Sequence, residues 1–441
     1  MDDEVPRRTY LTTLLTTGLT AGVAGCNTSS DSSSPEATSS STERTTTTRT
    51  TETTDTETTT TTESGPAWEP RTPPDTLPPA DVVGVTHVNG QYHFSEDDYL
   101  NAGAKRLKEV GTDVIKIWFK RMGAKYPYNS DWQSEYQSMV EVAKTPYVRE
   151  VFERDFSTYV LLAHSYHDGP WVSFRDGLTE ADLTELENRF EALTRHLLET
   201  YDGTEKTFVL QNWEGDNLVQ KDRDQPLSSD AADRFRRWLT ARQTGVERAR
   251  NQIDSDVTVL HAAEVNYVLD AKNSGTPRVI NEVVPETDVD LVSYSAWELG
   301  DQLAGHGWAP GHNGEEQFDE AETIVTETLE YIDSNAPEAD GYVAGSLTER
   351  QSNVYLGEFG SPFQQRGDER AMQIIRPVLE NSLDWGVRWA IFWQLYCNEK
   401  TVEGTVEENN DVRGFYLIRP DGTRAPSYDY LSSVLERDEQ Y

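Results

Sequence analysis

Two glutamates stand where apolar strands would otherwise end. FVLQNWEGD at 208–216 and VYLGEFG at 354–360 are each β-branched or aromatic runs that deliver a carboxylate beside a glycine. Taking an ionised carboxylate out of water costs on the order of several kcal/mol, so a buried-strand pattern ending in one implies that the group is used. Glu214 and Glu358 are therefore the first candidates for chemistry. Two carboxylates across a cleft can break a glycosidic bond, one giving a proton and the other acting as nucleophile or base. At a separation of about 5–5.5 Å the second attacks directly and configuration is retained, whereas ~6.5–9.5 Å leaves room for water and inverts it.

Such a pair must be held by elements far apart in sequence. The spacing of apolar runs predicts strands at 82–88, 113–119, 158–164, 207–213, 257–263, 290–296, 353–359 and 387–394. Helical periodicity lies between them at 96–109, 180–200, 228–252, 316–334 and 367–384, with another near 427–436 and weaker patterns at 131–143 and 276–284. Ser95 followed by Asp98, and Thr179 followed by Asp182, read as capping-box starts. Strand–helix alternation calls for parallel pairing with right-handed crossovers, and eight units predict an α/β fold of the (β/α)8 barrel type. An open doubly wound sheet is the competing architecture. No G-x-G-x-x-G follows the first strand, which weakens the dinucleotide-binding form of that alternative.

On this frame the strand-end residues form a set: QNWEGD after strand four, LGEFG at strand seven and WAIFWQ at strand eight. The chain from about residue 81 resembles the clan A glycoside hydrolases, the barrel superfamily that includes family 5 cellulases and mannanases. The resemblance implies that Glu214 is the acid/base, Glu358 the nucleophile and Trp393 a sugar-stacking platform, with His164 and Tyr294 at positions that bind the reacting sugar or steady the nucleophile. On that view Tyr294 donates to Glu358, and Trp213 desolvates Glu214. One departure is visible: Trp213 separates Asn212 from Glu214, where the family places the asparagine and glutamate side by side. Asp216, or Glu264 in HAAEVN, competes with Glu214 for the acid/base role, and Glu358 has a structural reading as the partner of an arginine.

Aromatic residues are plentiful, with 11 tryptophans and 20 tyrosines, and many fall where loops would crown a barrel: Trp118, Trp132, Trp171, Trp213, Trp297 and Trp308. Their faces stack on the C–H faces of pyranose rings while Asn, Asp and His bind hydroxyls, which favours a carbohydrate ligand. Tyr92, His93, His306 and His312 read as cleft-shaping loop residues. His164, His167 and Asp168 in HSYHDG also admit a metal reading, but a loop does not aim two histidines three apart at one ion, so no metal or other cofactor is expected.

Acidic residues outnumber basic ones 77 to 39, for a formal charge of −38. That excess repels nucleic acid and anionic lipid and, being spread along the chain, fits a surface solvated in high salt. Arg7-Arg8 before a short threonine-rich apolar stretch resembles a twin-arginine export signal, and AGVAGC at 21–26 resembles a lipobox, with Cys26 as the lipidated residue. The domains expected are a signal at 1–26, a disordered Thr/Ser-rich linker at 27–74 and the barrel at 75–441. The mature protein is expected at the outer face of the cell membrane, as a monomer held by its lipid. With Cys26 lipidated, Cys397 has no disulfide partner and reads as a small buried hydrophobe. A catalytically dead sugar-binding barrel and a two-lobed solute-binding lipoprotein of a transporter are the functional alternatives.

Overall fold

Eight strands close on themselves in chain order in the computed structural model: β1 (Val83–His87), β2 (Val114–Phe119), β3 (Thr158–Ala163), β4 (Thr207–Gln211), β5 (Thr258–Val265), β6 (Leu291–Ser295), β7 (Val354–Phe359) and β8 (Ala390–Phe392). All neighbours are parallel, and Val83 pairing with Ala390 shuts the ring. The structure describes residues 66–69, 71–163, 177–220, 222–305 and 315–441. Cys26, the Arg7-Arg8 pair and the Thr/Ser-rich run lie outside them. A TIM barrel is thus the fold, and the two-lobed solute-binding architecture is excluded.

Strands buried on both faces read as near-continuous apolar runs, and alternation then sorts the side chains. Val114, Val160, Val209, Leu260 and Tyr355 point to the axis and form an inner core. Ile115, Leu161, Phe208, Val292 and Leu356 point outward into the layer shared with the helices. Helices 99–110, 180–200, 229–250, 315–333, 368–385 and 426–435 supply that layer. The Thr179–Asp182 capping box forms as the sequence predicts. Ser95 does not cap: the first helix begins at Tyr99, and Asp98 accepts the Asn101 N–H. Ser95 Oγ is turned to the Asp97 N–H instead, one turn of chain too early. The weak pattern at 131–143 yields helix only over 139–143, capped by Ser138, and 276–284 resolves into a four-residue helix at 279–282 followed by a 3-10 turn.

Within the stretch read as linker, Trp68 meets the Tyr342 ring edge-on at 5.2 Å, and the Arg71 guanidinium binds the Ser255 and Val257 carbonyls just before β5. That is the N-terminal end of the barrel, opposite the face where enzymes of this fold work. Among the described residues no helix is long and apolar enough to cross a membrane. Cys397 is fully buried and its thiol is pushed up to about 11 by burial, so it behaves as a small hydrophobe.

Candidate active site

Lys116 rises from the middle of β2 into the barrel axis, with no exposed surface. Its Nζ donates to Glu264 Oε1 at 3.0 Å, to Glu358 Oε1 at 3.2 Å and to the Gly357 carbonyl at 2.9 Å, which uses all three ammonium protons. Burial works against its charge, but Glu264 and Glu358 outweigh burial and raise the lysine above its ordinary value. Glu264, on β5, is enclosed from every side. Its Oε1 also accepts from Gln211 Nε2 at 2.7 Å and Ser293 Oγ at 3.1 Å, and its Oε2 accepts the Glu214 backbone N–H at 2.8 Å. Burial pushes this carboxyl up to about 7, Lys116 pulling it down and Glu358 pushing it further up.

Glu358 reaches the axis through an irregularity in β7. Tyr355 faces inward, so simple alternation would turn Gly357 inward and Glu358 out toward the helices. The register with β6 and with β8 shifts along this stretch, Ser295 pairing with Glu358 and Phe359 with Phe392. A bulge of this kind re-aims a side chain. Both Gly357 and Glu358 thereby address the interior. A Cβ on Gly357 would stand 1.9 Å from Ser293 Oγ and 2.6 Å from Glu264 Oε1, so glycine is what leaves the Glu264 carboxylate its place.

The two candidate carboxylates meet over one hydroxyl. Ser295 Oγ, at the end of β6, lies 3.0 Å from Glu214 Oε1 and 3.3 Å from Glu358 Oε2. Those two oxygens are no farther apart than the two bonds laid end to end, so both carboxyl groups address one point at the end of β6. Glu214 Oε2 accepts from Asn217 Nδ2, and Asn217 Oδ1 accepts from the Tyr267 hydroxyl. Glu358 Oε2 also accepts the Trp297 indole N–H at 3.1 Å. A hydroxyl carries one proton, so Ser295 donates to one carboxylate and can accept from the other only if that one is protonated. Lys116 and Trp297 both donate to Glu358. Both carboxylates are withdrawn from solvent, at 1 % and 0 % exposure.

Other residues singled out by sequence divide. Trp297 meets Trp393 at 6.3 Å with rings perpendicular, and Phe415 at 5.1 Å, forming an aromatic wall beside Glu358. Trp213 is half-buried against Trp118 at 6.4 Å on the Glu214 side. Tyr294 does not touch Glu358. Strand alternation turns Ser293 and Ser295 inward and Tyr294 outward, where its hydroxyl donates to Glu298 at 3.1 Å. Asn212 does not face a ligand either: Nδ2 donates to the Glu264 carbonyl and Oδ1 accepts the Glu264 N–H, both at 3.0 Å, so it clamps β4 to β5. Asp216 and Glu264, the competing acid/base candidates, are both buried and fully engaged by neighbours. Asp216 accepts the Asn266 and Val279 N–H groups, and Glu264 accepts from Lys116, Gln211, Ser293 and the Glu214 N–H. Tyr92 packs in a loop with its hydroxyl on the Ile418 carbonyl. His164, His167, Asp168, Trp171, His306, Trp308 and His312 lie outside the described residues. Among the described residues no cluster of three His, Cys, Asp or Glu is placed to hold a metal ion.

Lys116, Ser295, Asn217 and Tyr267 carry much of this geometry without having been singled out. Lys116 was findable, as a lone lysine inside VIKIWF has the same improbability as the two glutamates. Ser295 was not, because one serine at a strand end says nothing about which side chains converge on it.

No family model matches the sequence, and no curated protein is significantly similar to it. Solved structures do share its shape. A GH5_18 variant from Bifidobacterium longum subsp. longum, in complex with Manb1-4GlcNAc, superposes with a TM-score of 0.51 at 14% identity over 80% of this chain and 77% of that one. GH5_18 from Streptomyces cattleya, in complex with GlcNAc, gives 0.49 at 12% identity over 84% and 81%. The exo-beta-1,4-mannosidase Op5Man5 from Opitutaceae bacterium strain TAV5 gives 0.48 at 10% identity over 81% of this chain and 59% of that one. At such identities the likeness establishes the barrel alone.

Proposed function

We propose that this chain is a retaining glycoside hydrolase acting on a β-linked oligo- or polysaccharide. The observation that carries the reading is the single Ser295 hydroxyl within hydrogen-bond reach of both Glu214 and Glu358, only one of which has Lys116 and Trp297 as donors. In the first step Glu358 Oε2 attacks the anomeric carbon while Glu214 gives its proton to the departing oxygen. Glu358 becomes an ester and Glu214 a carboxylate. In the second step Glu214 takes a proton from water, whose oxygen attacks the same carbon from the opposite side and releases Glu358. Both displacements invert, so the net outcome is retention. The likeness to glycoside hydrolases in shape, including two solved with mannose- or glucosamine-type ligands, agrees with a sugar substrate.

The test is a panel of aryl β-glycosides and β-linked polysaccharides followed by nuclear magnetic resonance. The first-formed sugar should be the β anomer. An α product would show an inverting arrangement, hydrolysis undiminished by Glu358→Gln would remove Glu358 from the chemistry, and glycan binding with no hydrolysis of any panel member would favour the sugar-binding alternative. Export and anchoring through Cys26 is part of the same proposal, resting on RRTYLTTLL and AGVAGC. Incorporation of labelled fatty acid should disappear in Cys26→Ser, and its persistence would refute the anchor.

A further inference from the structure

In a chain with almost twice as many acidic as basic residues, one stretch at the mouth of the barrel reverses the sign. No Asp or Glu occurs between Asp113 and Asp131, while Lys116, Lys120, Arg121 and Lys125 all do. Lys116 is spent inside the barrel. The other three follow β2 at its carboxyl end, the end of the barrel at which Glu214 and Glu358 lie.

The segment is built into the fold. Tyr126, fully buried, accepts the Trp118 N–H at 2.8 Å and donates to the His87 carbonyl at 3.0 Å, pinning the segment after β2 to the carboxyl ends of β1 and β2. The Lys125 carbonyl accepts the Asn89 N–H at 2.8 Å, and the Trp132 indole donates to the Tyr126 carbonyl at 2.9 Å. Arg121 is held left-handed at φ 51° and ψ 51°, a conformation that disfavours residues with a Cβ. Lys125 lies half-buried with its Nζ 4.1 Å from the Trp118 ring centroid. Among the described residues neither Arg121 nor Lys125 has a carboxylate within ion-pair distance, although acidic residues are abundant everywhere else.

A half-buried ammonium with no carboxylate in ion-pair reach among the described residues, beside two further cations, is destabilised in its charged form. Burial first, then Arg121 and Lys120, draw Lys125 down to about 8. An incoming anion would relieve that. The location also selects what the anion is attached to, because the Trp118 ring packs at a tilt against Trp213, the residue preceding Glu214, so aromatic surface lies between the cations and that glutamate.

We propose that Lys120, Arg121 and Lys125 form a subsite for the anionic substituent, a uronate carboxylate or a sulfate ester, of a sugar unit stacked on Trp118 and adjoining the one cleaved at Glu214. This deepens the hydrolase reading and rests on it for the cleavage step, but not for binding. Contact pairing is what such a chain needs. A charge of −38 repels an anionic glycan at a distance, and at about 1 M salt the screening length of roughly 3 Å leaves only direct contacts effective.

The experiment is calorimetric titration of the full chain carrying Glu358→Gln, which keeps ligands intact, with three β-1,4-linked tetrasaccharides: mannuronate, its carboxyl-reduced form mannotetraose, and sulfated mannotetraose. Preference for one or both acidic ligands over mannotetraose by about tenfold or more is expected. That ratio should fall to near one when Lys120→Gln, Arg121→Gln and Lys125→Met are added, and should persist in Lys125→Arg. Which acidic ligand binds tells uronate from sulfate. No acidic preference, or a preference untouched by the triple variant, overturns the subsite. A charge-dependent preference in a protein whose unmutated form cleaves none of the three would instead uphold the subsite and count against the hydrolase reading.

Discussion

Lys116 decides how charge is distributed in this site. Glu264 and Glu358 share one ammonium sealed in the barrel, and removing it leaves buried carboxyl groups without their common donor. Lys116→Met should therefore destabilise the protein by about 3–5 kcal/mol, read by denaturant unfolding. A variant as stable as the parent would mean that neither carboxyl depends on the lysine. Glu264 adds a pH signature. Its carboxyl is raised to about 7 by burial, against an ordinary value of 4.5, so the folded state holds a proton that the unfolded state has released. The stabilisation is fully present below pH about 4.5 and is lost as pH rises through about 7. Unfolding free energy should decline over that window by on the order of 1.4 kcal/mol per pH unit from this group, and Glu264→Gln should remove that part of the slope. An unchanged slope in Glu264→Gln would place the titration elsewhere.

At the scale of elements, the strands were legible because a parallel barrel buries both faces and writes itself as apolar runs. All eight occur where their runs predict, with ends shifted by one to a few residues, mostly inward, while β5 runs on to Val265. Glu214 and Glu358 were legible for the opposite reason, as charges interrupting those runs. Their orientation was not. Tyr294 and Ser295 are adjacent, and only the register of β6 decides that serine rather than tyrosine meets the carboxylates. The shift in β7 that turns Glu358 inward has its sequence trace in Gly357, a residue equally at home in a turn. The crowding around it makes a prediction. Gly357→Ala would drive a methyl into Ser293 Oγ and the Glu264 carboxylate and should lower stability by about 1–3 kcal/mol with a matching loss of activity. Unaltered melting and activity would show that the barrel floor is looser than these contacts imply.

For the whole molecule the dominant quantity is charge. A net −38 spread over the surface strains the compact state by self-repulsion, which salt relieves as the screening length falls from about 10 Å at 0.1 M to about 3 Å at 1 M. The thermal midpoint should climb by about 5 °C or more between those two concentrations of potassium chloride. A flat or falling midpoint would contradict the reading of the surface as adapted to salt. The same excess throws the basic segment after β2 into relief, since it is conspicuous only against its surroundings.

The central claim is the division of labour between the two glutamates, and chemical rescue tests it most directly. With an activated aryl β-glycoside, Glu358→Ala should be inactive until azide is added and should then yield the α-glycosyl azide, the small anion attacking from the space the nucleophile has left. Glu214→Ala with azide should yield the β-glycosyl azide, because Glu358 still forms the ester. The opposite pairing of variants and products, or full activity of Glu358→Ala without azide, would contradict the account.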